Sequence, residues 1–382
     1  MIALSTLRAG RAPLCAFVAM GMLWGSFAAD LPDIKTMLAI DEAWLGALMF
    51  MTPVAAVVAM LLAPAIGAAL GRAALPTAAL LMSAGFALPG QTASLWLFPV
   101  AMLVCGAGTG LTDVLMNARV ASIEADRGLH LMSLCYAGYS LGYGGAAVGV
   151  GVMRSAGWSP AMTLGTVALL AAVLSLGTIE ADGRIDGLKR PKDRSLGRLG
   201  IVPVLGGAII LISFMTENAA ENWSALHIEK TLGGSPAHGA LGPATLAFTM
   251  AVVRLFNQGL TKRLSEAALL TGSTLISASG ALTAALATSP AMAYLGFFVM
   301  AVGASVIAPT TFSLIGRLAK PEARARAIAR ATLLGYFGYF FGPPLVGFIA
   351  GSFGLRFAFV FAAVMLAGVP FLVRILLRRG PV

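Results

Sequence analysis

The stretch Gly106-Ala-Gly-Thr-Gly-Leu-Thr-Asp-Val-Leu-Met-Asn-Ala-Arg119 places one carboxylate, Asp113, deep inside an apolar run. No other charged residue occurs between Arg72 and Asp113, an interval that holds two segments of bilayer length. An ionisable side chain near the middle of a membrane helix costs roughly 2.5–3.5 kcal/mol on insertion scales, so it usually faces a wet cavity and has work to do there. Asp113 is therefore the first functional candidate, against the alternative of an acid held by a neighbour for packing alone. Thr109, Asp113 and Asn117 follow at four-residue steps and share one face of a helix, while Gly106 and Gly110 let a neighbouring helix come close.

The rest of the chain matches this reading. It is 58% hydrophobic and 11% charged, with mean hydropathy +0.88, against about 25% charged for a soluble domain. Between successive charges lie apolar runs at 12–29, 43–71, 73–112, 128–153, 155–179, 199–216, 231–253, 267–316, 331–355 and 357–373, and a spanning helix needs about 20 residues. Two runs are of double length, each with a turn signal inside it, Pro89-Gly-Gln-Thr-Ala-Ser94 and Thr288-Ser-Pro290. The expectation is an all-α membrane protein of twelve transmembrane helices.

A net charge of +10 invites a nucleic-acid partner, but its distribution argues against one. With both termini cytoplasmic, 21 of the 26 Lys and Arg fall in cytoplasmic segments, four (Lys35, Arg154, Lys230, Arg356) in outer ones, and Arg254 within a helix. That is the positive-inside bias of a bacterial inner-membrane protein. Cys15, Cys105 and Cys135 lie inside expected spans and form no C-x-x-C, and His130, His227 and His238 are scattered, so no disulfide, metal site or cofactor is expected. No P-loop, H-E-x-x-H or G-x-S-x-G occurs, so neither an enzyme nor a self-contained ATP-driven pump is expected. Arg8 and Arg11 precede an apolar run as in a signal peptide, but the run is long and eleven spans follow, so it reads as an uncleaved first helix.

Further polar positions fall at helical spacing. The first helix, about 12–32, ends in Asp30-Leu-Pro-Asp33, either acid facing a cavity or both solvated outside. The fifth carries Ser133, Tyr136, Ser140 and Tyr143 as a polar aromatic stripe, with Gly138, Gly142, Gly145 and Gly149 on a packing face. The seventh carries Glu217, Asn218, Glu221 and Asn222 in one stripe, suited to a proton, a cation or a hydroxyl-rich solute, or else emerging into outer solvent. Arg254, near the end of the eighth, reads as a cytoplasmic-end charge or a gate partner, and Arg72 is a second gate candidate. Gly342-Pro-Pro344 reads as a bend or break in the eleventh.

Sliding the chain against itself by 197 residues pairs Gly106-Ala107 with Gly303-Ala304, Gly138-Tyr139 with Gly335-Tyr336, and Gly145 with Gly342, and sets Asp113 against Thr310. Two parallel six-helix halves are implied, at 1–178 and 201–382, joined by a basic cytoplasmic linker at 179–200; transporters so built bind solute between the halves.

Twelve spans, two halves, a basic linker and this repeat together resemble the major facilitator superfamily along essentially the whole chain. Leu23-Trp-Gly with Asp33, Gly-x-x-x-Asp-Val-x-Met-Asn around Asp113, and Glu217, Trp223 and Ser224 look like its fucose-permease-like branch and bacterial relatives. The resemblance implies sugar binding and proton coupling by an acid in the first helix, Asp33 or its rival Asp30, and by Asp113. The loop after the second helix departs from the family pattern, since Gly67-Ala-Ala-Leu-Gly-Arg72 lacks its acid. The expected function is alternating-access, proton-coupled transport of a small polar or hydroxylated solute by a monomer in the lipid bilayer. Thr109, Asn117, Tyr136, Ser140, Glu217, Asn218, Glu221, Asn222, Thr310 and Tyr336 would line the cavity. Export of an amphipathic compound is the alternative.

Overall fold

The computed structural model describes residues 4–129, 131–183, 185, 200–256, 264–319 and 323–378. Among these, helix follows helix: α1 Leu4–Ala9, α2 Arg11–Leu38, α3 Glu42–Met49, α4 Met51–Leu70, α5 Ala74–Ala87, α6 Leu97–Arg127, α7 Met132–Ser155 and α8 Pro160–Ser175. After the expected linker come α9 Val202–Leu226, α10 Pro236–Phe256, α11 Glu266–Ala285, α12 Pro290–Leu318, α13 Arg324–Phe353 and α14 Leu355–Arg378. Most of the linker lies outside the described residues. With α3 and α4 counted as one broken rod, α2 to α14 make twelve rods, and the even number puts Leu4 and Arg378 at the same end, here the terminal end.

Nine segments among the described residues are long and apolar enough to cross a membrane, one of them (Glu42–Gln91) containing both α3–α4 and α5. The rods outside this set, α7 and α10, are rich in Gly, Ala, Ser and Thr and pack on each other.

Helices α2 to α8 pack among themselves, as do α9 to α14, and the two groups meet mainly through α7 with α10, α3 with α13, and α2 with α9 and α10. Close approach is made by glycine. A methyl on Gly21 or Gly25 of α2 would lie 2.0 or 2.1 Å from the Tyr139 or Tyr143 carbonyl oxygen of α7. Gly106 and Gly110 of α6 stand equally close to the Thr52 and Ala56 carbonyls of α4, the contact read from sequence. The 197-residue repeat holds for Gly138 and Gly335, which meet Leu14 and Val18 of α2 and Ile210 and Phe214 of α9, but not for Gly145 and Gly342, since Gly145 meets nothing and Gly342 meets Met215 and Asn218. It fails for Gly106 and Gly303 as well, because Gly106 faces α4 whereas Gly303 faces Ser273 and Ser277 of α11.

Several expected boundaries are corrected. Helix α2 runs through Pro32 to Leu38, two turns past its expected end; neighbouring groups can satisfy the backbone a proline frees, and Arg154 donates to the Ala29 carbonyl in that turn at 2.7 Å. Helix α6 continues past Arg119 to Arg127, and α13 starts at Arg324 rather than 331, since Ala and Arg are good helix formers. The second rod breaks at Phe50, which was not foreseen, whereas α13 carries Pro343 and Pro344 inside one helix without the expected break. Arg154, expected in an outer segment, is a buried side chain in the last turn of α7.

Candidate functional site

Asp113 sits near the middle of α6, half-buried. Asn117, one turn on, donates from Nδ2 to Asp113 Oδ1 at 3.1 Å. The Tyr136 hydroxyl of α7 donates to Asn117 Oδ1 at 3.4 Å. From the other group of helices, the Tyr336 hydroxyl of α13 faces the Asp113 carboxylate within electrostatic range. Tyr136 is 40% exposed although its hydroxyl reaches inward, and its ring packs edge-on against Phe17 at 5.1 Å.

A second polar cluster lies beside the first. Arg254 Nη2 stands 3.3 Å from Glu217 Oε1 of α9 and Nη1 lies 3.4 Å from Ser140 Oγ of α7, so one guanidinium touches both groups of helices. Tyr139 of α7 and Tyr339 of α13 lie within electrostatic range of Glu217, Glu221 and Arg254. Phe214 backs them, 4.8 Å from the Tyr339 ring and 6.2 Å from the Tyr336 ring. Five of the six tyrosines of the chain lie on α7 and α13.

The stripe on α9 does not emerge into solvent, since Glu217 and Asn222 are buried and Trp223 and Ser224 are fully so. Asn222 Nδ2 is spent on the Asn218 carbonyl at 3.0 Å. The acceptor oxygens Asn218 Oδ1 and Asn222 Oδ1 are buried with no hydrogen-bond partner, as are the hydroxyls of Thr109, one turn before Asp113, and Thr310 on α12. A buried polar atom without a partner costs about 1–3 kcal/mol. Spare amide oxygens and hydroxyls beside acids fit a ligand rich in donors.

The remaining expected residues lie elsewhere. Asp30 and Asp33 share no hydrogen bond with the Asp113 group: Asp33 accepts from Arg154 Nε and Nη2 at 2.8 and 2.7 Å, and Asp30 accepts from Thr163 Oγ1 at 2.6 Å. The cause is the length of α2, which carries both acids to the far end, opposite the termini, where α7 finishes. Arg72 is exposed at the terminal end, in the single turn Gly71–Ala73, and does not join Arg254. Thr310 makes no hydrogen bond to Asp113.

Sequence reading missed Tyr139, Tyr339 and Glu229. A signal for the tyrosines was present, since Tyr136-x-x-Tyr139 and Tyr336-x-x-Tyr339 repeat the same spacing in both groups. Glu229 carried none, because it acts on Arg154, 75 residues away.

The family model for the Major Facilitator Superfamily matches residues 205–382, and an uncharacterized MFS-type transporter of Yersinia pestis is 28% identical over 356 residues, 92% of this chain and 91% of that one. The second half of the chain thus matches the Major Facilitator Superfamily, and nearly the whole chain is similar to an MFS-type transporter. Its many long apolar helices are those of a multi-pass membrane protein. The fold agrees. A bacterial homologue of the human lysosomal transporter Spinster, in an inward-facing and occupied conformation, superposes with TM-score 0.74 at 15% identity, covering 96% of each chain. The D323A mutant of the nucleoside transporter NupG gives TM-score 0.75 at 14% identity, covering 97% of this chain and 99% of NupG.

Proposed function

We propose that this transporter moves a small, hydroxylated, sugar-like solute across the bacterial inner membrane by alternating access, with protons as the coupling ion. The two groups of helices are the moving halves, 1–178 and 201–382. Both termini are cytoplasmic, as the positive-inside bias supports. The observation that carries the reading is the approach of the Tyr336 hydroxyl to Asp113, because it sets a hydroxyl of one half against an intramembrane carboxylate of the other. An ionised carboxylate is a strong acceptor for that hydroxyl, and protonation weakens the attraction. The charge state of Asp113 is thereby tied to how firmly the halves meet. Solute hydroxyls supply the donors that Asn218, Glu221 and Asn222 lack, and the tyrosine rings of α7 and α13 give a ring-shaped solute its faces.

The test has two parts. Purified protein is screened for thermal stabilisation by hexoses, pentoses and nucleosides, since a ligand that prefers the folded state raises its melting temperature. The stabilising solute is then followed in proteoliposomes. Asp113→Asn is expected to abolish accumulation driven by a pH gradient while sparing exchange of preloaded solute. Gradient-driven accumulation at the wild-type level in Asp113→Asn removes Asp113 from coupling. A second reading, export of an amphipathic compound, draws on Phe17 and Phe214 beside the polar cluster, and predicts stabilisation by apolar amphiphiles instead.

A further inference from the structure

A separate cluster of buried charge closes the far end. Arg154, at the end of α7, has a fully buried side chain. A guanidinium has five N–H donors, and the geometry here supplies five contacts: Nε and Nη2 to Asp33, Nη1 to the Ala29 carbonyl at 2.7 Å, and Nη1 and Nη2 to the two Glu229 oxygens at 2.7 and 3.0 Å. Asp33 and Ala29 belong to α2, in the same half as Arg154. Glu229 stands in the turn His227–Thr231 that ends α9, in the other half. The room for Glu229 is made by Gly239 of α10, where a methyl would lie 2.1 Å from Glu229 Oε1. The halves also approach closely through glycine: Gly46 of α3 against the Pro343 carbonyl of α13, Gly347 against the Glu42 carbonyl, and Gly151 of α7 against the Ala240 side chain of α10.

We propose that Arg154 and Glu229 form the latch that holds the far end shut, and that the transporter opens there by parting this pair while Arg154 stays with Asp33. The proposal rests on the alternating-access reading above. A buried cation stripped of a partner is expensive, so a latch of this kind needs a substitute ready. Asp30 is that substitute. Its Oδ1 lies 3.5 Å from Arg154 Nε, is fully buried and accepts no hydrogen bond, while its Oδ2 is held by Thr163. When Glu229 leaves, the freed N–H groups of Arg154 turn to Asp30. The cluster thus has two arrangements with the same cation satisfied in both, which is what a two-state switch requires.

The test measures distance across the far end without any solute. Spin labels are placed by Ala93→Cys, between α5 and α6, and Thr288→Cys, between α11 and α12, both exposed far-end positions, in a Cys15→Ser background reconstituted in nanodiscs. Glu229→Ala is expected to at least double the fraction of long distances, whereas Asp33→Asn, which removes an acid from the same guanidinium within one half, leaves the distribution as in the wild type. Asp30→Asn is expected to lower the melting temperature more in the Glu229→Ala background than alone, because only there is Asp30 the replacement partner. An unchanged distribution in folded Glu229→Ala, or equal shifts in both single variants, overturns the latch. Failure of every solute in the stabilisation screen bears only on the solute class and leaves these distances to be judged by themselves.

Discussion

Arg154 at the far end and Arg254 in the centre are both arginines among acids from both halves, yet their surroundings are satisfied to different degrees. Every N–H of Arg154 has an acceptor, its side chain is fully buried, and the helices beside it touch through glycine. Arg254 keeps a side chain 24% exposed and holds Glu217 at 3.3 Å and Ser140 at 3.4 Å, while Asn218 Oδ1 and Asn222 Oδ1 on the same helix as Glu217 have no donor. A complete network specifies one arrangement of the helices around it. An incomplete one, in a space that water reaches, is where a ligand adds the missing bonds. The contrast separates the part of the molecule that is closed from the part that is waiting to be filled.

That contrast can be broken most directly with the arginines themselves. Removing one partner of a buried ion pair costs about 3–5 kcal/mol, because the others stay buried and uncompensated. Arg154→Met is expected to lose stability on that scale, and Arg254→Met about 1 kcal/mol or less, since its acids can be hydrated or protonated. Thermal unfolding of the two variants in the same detergent decides it, and equal losses would erase the distinction. A smaller effect is expected of Gly239→Ala, which sets a methyl against Glu229 and leaves every charge in place. Overpacking of this sort costs about 1–3 kcal/mol, and the far-end distance in Gly239→Ala should move towards that of Glu229→Ala. Smallest in stability is Glu221→Gln, expected within about 0.5 kcal/mol of the wild type because no hydrogen bond is lost. Its signature is functional: the melting-temperature rise given by the solute should shrink, and a full rise would take Glu221 out of the site.

Much of this was legible along the chain. The positions of the twelve rods follow from apolar length between charges, and the placing of Asp113 with Asn117 and of Asn218 with Asn222 follows from four-residue spacing. Those are local relations, and helix geometry alone enforces them. The pairing of Arg154 with Asp33 and Glu229 was not legible, because those contacts cross 121 and 75 residues. Asp30 and Asp33 read as acids at the outer end of the first helix, either one facing a cavity or both solvated. Neither alternative foresaw that Asp33 is held by Arg154 and Asp30 by Thr163, contacts that only the packing of α2 against α7 and α8 creates.

What the amino-acid order determines here is the set of rods and the face each polar group occupies, since a backbone in lipid has to satisfy its own hydrogen bonds and does so as helix wherever the side chains are apolar for long enough. Which faces meet was decided in three dimensions. Gly21 and Gly25 bring α2 against α7, Gly46 and Gly347 bring α3 against α13, and only with those approaches made does Tyr336 face Asp113 and Glu229 come within bonding distance of Arg154. The reason is physical: a hydrogen bond reaches about 3 Å, and the side chains that make it are carried there by backbone packing whose fit no single helix contains.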